Sequence, residues 1–128
     1  MPSDLTANQL ILTFKTDENL SSHKYRCVLL GADGLVGVTT STTVPPTGLT
    51  TADVADGSST AAAVSVAVSG VANAEAGAAV QEGVAVMATT AGKVITCTSG
   101  NVALGLALED AAADGDMISV LIDRYEMT

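Results

Sequence analysis

Large apolar side chains recur at every second position along much of this chain. Val64, Val66 and Val68 alternate with Ser65, Ala67 and Ser69, and Val102, Leu104, Leu106 and Leu108 alternate with Ala103, Gly105 and Ala107. A repeat of two puts one set of side chains on one face of an extended strand, whereas a helix needs a repeat of 3.6. The chain must therefore fold largely as sheet. Hydrophobic residues make up 48% of the sequence but aromatic residues only 2%. The core is thus built from Val, Ala, Leu and Ile, which suits thin sheet layers. Such a supply of β-branched residues argues against disorder.

Further strands are expected over 10–16, 25–30, 35–40, 84–88 and 93–98. The stretch 117–122 is apolar on both faces apart from Ser119, so it is expected to be buried twice, between layers or under a partner subunit. Turns fall at Gly31-Ala32-Asp33-Gly34, Thr90-Ala91-Gly92, Ser99-Gly100-Asn101 and Asp114-Gly115-Asp116, where Gly and Asp accept the backbone of tight hairpins. Residues 41–63 hold Val44-Pro45-Pro46 and few large side chains, which predicts a long loop or extended arm, because proline cannot donate to a ladder. The Ala-rich stretch 72–82 is interrupted by Gly77 and bounded by Gly70 and Gly83, so extended structure is favoured there. A short helical turn is expected near 111–113. The fold class is all-β: one domain over 1–128, a small barrel or sandwich of about eight short strands. It carries an extended N-terminal arm over 1–9 and a long Pro/Thr-rich loop over 41–63.

Charge narrows the function. Five Lys and Arg face fourteen Asp and Glu, a net charge of −9, and five scattered cations cannot form the basic stripe that nucleic acid requires. An anionic membrane surface is disfavoured for the same reason, and no apolar run approaches a membrane span. Asp4 stands where a secretion signal needs cations, so synthesis and retention in the cytoplasm are expected. Cys27 and Cys97 belong to no CxxC pair and read as reduced, buried small hydrophobes.

Catalytic groups are few. His23 is the one histidine, and no serine sits in a GxSxG elbow. On one strand His23 and Cys27 would share a face but lie about 13 Å apart, too far to react. The glycines from Gly31 to Gly37 lack the lysine of a phosphate loop and read as a hairpin turn. Glu109, Asp110, Asp114 and Asp116 do not follow a calcium-loop spacing and read as a solvated turn, with an adventitious cation at Asp114 and Asp116 as the alternative. No Cys/His pair has zinc spacing. The expectation is a binding protein that is not an enzyme and has no catalytic residue, cofactor or metal.

One run has a familiar order. It passes through Val68-Ser69-Gly70-Val71, Gly77-Ala78-Ala79-Val80, Gly83-Val84, Leu104-Gly105-Leu106-Ala107-Leu108-Glu109, Ala113-Asp114-Gly115-Asp116 and Val120-Leu121-Ile122. Over residues 64–122 this resembles the small head decoration, or cement, proteins of tailed bacteriophages; Val84 departs from it where the family often has an acid. The resemblance implies a virion protein on the outer surface of the capsid, assembled in the host cytoplasm. It would be a homotrimer that clamps adjacent major capsid proteins, with no nucleic-acid or membrane partner. Another virion module, of tail, fibre or cell-surface-binding type, is the alternative. Candidate contacts with the capsid or with sister subunits are Pro2 and Leu5 in the arm, Leu10, Leu12 and Phe14 on the first strand, and Met117 and Leu121 on the last.

Overall fold

The computed structural model describes residues 9–38, 46–54 and 56–126. Nine strands are described: β1 Leu10–Thr16, β2 Cys27–Leu30, β3 Val36–Val38, β4 Gly48–Val54, β5 Ala62–Glu75, β6 Ala85–Ala88, β7 Val94–Thr96, β8 Val102–Ala107 and β9 Met117–Glu126. All pair antiparallel, in the order β3-β2-β4-β5-β9-β8-β6-β7, with β1 also on β5. The protein is all-β, a curled antiparallel sheet of the small-barrel kind.

β5 organises the sheet. It is 14 residues long, and its first part pairs with β1 and β4 while residues 70–75 pair with β9. The handover falls at Gly70, whose φ of 87° lies in the left-handed region, so a residue without Cβ sits where the strand changes partners. On one side of this point the sheet curls until Lys15 makes a parallel bridge to Leu35, beside β3. On the other it curls until Ala76 makes a parallel bridge to Val94, the first residue of β7.

Each curl has its own core. The first packs Leu20, Val28, Val36, Val64 and Val66, with Phe14, Val38, Val54 and Val68 against them. The second is alanine-rich, with Ala72, Ala74, Ala76, Ala88 and Ala107 among Val86, Val94, Leu104, Ile118 and Val120. Cys27, Leu49 and Ala67 join this cluster from the first curl, so the two cores touch. Small side chains let the walls come close. At Gly105 a Cβ would overlap the carbonyl oxygen of Leu121 on the neighbouring strand.

Several expectations are corrected. β4 lies inside the stretch read as a loop: its sequence GLTTADV is weakly apolar, yet it fills the place between β2 and β5. Residues 41–45 and 55 of that stretch lie outside the described residues. Among the described residues β6 is buried at every position, whereas 117–122 does not lie between layers of this chain, which leaves burial under a partner subunit as the other alternative. Val86 and Ala88 face the second core, while Ala85 and Met87 join Cys97 and Ala103 in a third cluster. On β9, Ile118, Val120 and Ile122 are buried, whereas Met117 and Leu121 on the other face are exposed on either side of buried Ser119. No helical turn forms at 111–113, since Ala111 and Val80 exchange backbone hydrogen bonds of 2.8 and 2.9 Å in an antiparallel bridge. β2 starts at Cys27, two residues late, because Tyr25 is left-handed with φ 58°.

Gly105→Ala is expected to destabilise the fold by about 3 kcal/mol, since the added methyl must push β9 away. Urea denaturation checks this, and Gly100→Ala, with nothing within 4 Å of a Cβ, should cost no more than about 1–2 kcal/mol for its left-handed backbone.

Candidate functional site

The polar groups that caught the eye in sequence are mostly engaged with the chain itself. Asp110 Oδ1 accepts the backbone N–H of Glu82 at 2.7 Å, Asp116 Oδ2 accepts those of Ala112 and Ala113 at 2.7 and 3.2 Å, and Glu109 Oε1 accepts that of Ser119 at 2.7 Å. These carboxylates fix the loops around an open groove of about 950 Å³ bordered by Gln81, Thr96 and Asp110. Asp114 accepts from Lys93 Nζ at 2.8 Å. Acidic residues thus act here as loop-closing acceptors.

Lys93 also reaches Glu75 Oε2 at 3.4 Å, and Arg26 Nη2 reaches Glu75 Oε1 at 3.4 Å. Arg26 precedes β2, Glu75 ends β5, Lys93 precedes β7 and Asp114 lies between β8 and β9. This chain of ion pairs therefore ties the first curl to the second. The hydrogen bond to Asp114 raises the pKa of Lys93, and the same bond holds the Asp114 carboxyl below its ordinary value.

His23 Nδ1 lies 3.3 Å from Ser22 Oγ, and its carbonyl accepts a short hydrogen bond from Thr50 Oγ1. Burial, and secondly the charge of Arg26, lower its pKa. Cys27 is fully buried and its thiol is pushed up to about 12. Cys97 is also buried, and both cysteines are free. A buried, protonated thiol is a poor nucleophile, so both cysteines act as packing groups.

What the structure offers to a partner is apolar surface. Among the described residues six large hydrophobic side chains are exposed, from 38% at Leu121 to 52% at Leu10. They fall into two sets. Leu10, Ile11 and Leu12 stand at the start of β1, and Leu30 ends β2. Met117 and Leu121 share one face of β9, where Leu121 lies between half-buried Val71 of β5 and Leu106 of β8. Of the contacts expected from sequence, Leu10 and Leu12 are thus together, as are Met117 and Leu121. Phe14 is half-buried and packs on the first core, and Pro2 and Leu5 lie outside the described residues. Ile11 and Leu30 were missed. The signal for Ile11 was an unbroken apolar run, Leu10-Ile11-Leu12, that cannot lie on a single face.

A family model described as phage cement protein matches residues 6–122. No curated protein matches the chain. Among solved structures, the N base of head fiber gp8.5 in bacteriophage phi29 is similar in fold. Its TM-score is 0.70 at 18% identity, over 93% of this chain and 99% of that one.

Two solution measurements follow. Because the folded-state pKa of His23 is lowered, the unfolded chain binds its proton first as pH falls. Stability should drop as pH goes below the ordinary histidine value of 6.5. The melting temperature should fall between pH 7 and about pH 5, and His23→Gln should flatten that part of the profile. Glu75→Gln leaves Arg26 and Lys93 short of a shared counter-charge and is expected to cost about 1 kcal/mol by urea denaturation.

Proposed function

The chain belongs to the phage cement protein family, and on that premise we propose that it binds the outer surface of the phage head and clamps adjacent major capsid proteins. That it is a virion structural protein rests on the family match. The observation carrying the finer reading is the pair of exposed apolar surfaces on an otherwise acidic domain. A cement protein stabilises a shell by adding interface across subunit seams, and apolar area removed from water contributes roughly 25 cal/mol per Å² before the costs of association. A net charge of −9 keeps the module away from nucleic acid and from other acidic surfaces, so that only a fitted seam holds it.

In this reading the protein does no catalysis. Its recognition chemistry is packing and backbone pairing, and His23, Cys27 and Cys97 serve the fold. The β9 face with Met117 and Leu121 is the seam between sister subunits in a homotrimer, since both side chains stay exposed on a strand whose other face is core. The arm over 1–9 and the 41–63 stretch are held in reserve as further contacts with the shell.

The similarity in fold to the base of a head fiber supports a second reading, in which the domain is the foot of a longer head appendage. Both readings place it on the head.

Quantitative mass spectrometry of purified virions should give a copy number that scales with the major capsid protein. Particles stripped of the protein should release DNA at a lower temperature and regain resistance when it is added back. A few copies per particle, or loss of the protein with detached tails, contradicts the head-surface reading.

A further inference from the structure

The first half of β1 overhangs the sheet that holds it. Along one side β1 pairs with β5 from Leu10 to Thr16. On its other side the β2–β3 hairpin meets it at the Lys15–Leu35 bridge. That hairpin turns there, closed by Gly31 N–H to the Leu35 carbonyl at 2.9 Å. Among the described residues nothing pairs with the outer side of Leu10–Thr13. A strand edge of this kind carries unpaired N–H and C=O groups in a fixed alternation.

The side chains along it are apolar on both faces. Leu12 shares the inward face of Phe14 and buried Thr16, yet it is 44% exposed, while Ile11 on the opposite face is 45% exposed. Leu30 shares a face with buried Val28 and is itself open to solvent. The inner wall of the first curl therefore runs out past its own core at this end. A strand laid along this edge would satisfy the backbone, and its alternate side chains would cover both faces.

Charge selects the occupant. Asp17 and Glu18 follow β1 and Asp33 sits in the adjoining hairpin turn, against Lys15 alone on β1. A second copy would bring the same carboxylates to the same seam. We propose that this edge receives an extended segment of the shell protein, apolar at its centre and flanked by Lys or Arg. The proposal rests on the head-binding reading above and names the chemistry of its partner.

The test uses heads that lack the protein and purified full chain carrying Ile11→Lys, Leu12→Lys or, in the exposed turn between β7 and β8, Ser99→Lys. Circular dichroism and melting confirm that each is folded. Wild type should bind and should lose affinity several-fold when salt rises from about 0.05 to 0.5 M. Ile11→Lys and Leu12→Lys should bind at least tenfold more weakly, and Ser99→Lys within about threefold of wild type. Hydrogen exchange on wild-type protein, which needs no variant to fold, should show the amides of Leu10–Thr13 becoming protected on heads. Folded β1 variants that bind like wild type, or no new protection at Leu10–Thr13, overturn the proposal. So does a free wild-type oligomer that Ile11→Lys dissolves, since the edge would then belong to a second copy. Wild type that fails to bind heads contradicts the head-binding reading itself and takes the proposal with it.

Discussion

Everything in this fold hangs on the pairing of β5. One strand of 14 residues gives its first part to β1 and β4 and its last part to β9. The two curls are consequently one hydrogen-bonded sheet, and their cores meet at Cys27, Leu49 and Ala67. The Arg26–Glu75–Lys93–Asp114 chain of ion pairs reinforces the same join from the surface. Neither curl could close alone, because each uses β5 as a wall.

Much of this was legible in the sequence, and for identifiable reasons. The period of two marked β1, β5 and β8, where the apolar side is large and regular. The turn segments held, with left-handed glycines at Gly34, Gly92, Gly100 and Gly115. The family was legible from the spacing of glycines and alanines between residues 64 and 122. β4 was not, because GLTTADV owes its place to two neighbouring ladders and not to its own apolar content. The exposed side of β9 was not legible either. Periodicity says that Met117 and Leu121 share a face, but only the number of layers above that face decides whether it is buried. For the candidate site, Leu30 gave no signal, since its exposure follows from the stagger of the strands at one end of the first curl.

The surface and the core divide the chemistry between them. Glu109, Asp110 and Asp116 spend their oxygens on backbone N–H groups of neighbouring loops, so acid residues hold the turns as well as setting the charge. Apolar surface is left open at the start of β1 and on β9. In the proposed head-binding reading, repulsion acts at long range and keeps the protein dispersed, while packing acts only once a fitted partner is in place.

Image reconstruction of heads with and without the protein, at a resolution that shows strands, tests the central claim most directly. The difference density should sit on the outer surface, across the line where neighbouring capsid subunits meet, and should accept this two-curl sheet with β1 turned toward the shell. Density on the inner surface, on the tail alone, or over the middle of a single subunit without touching its neighbour would contradict the account.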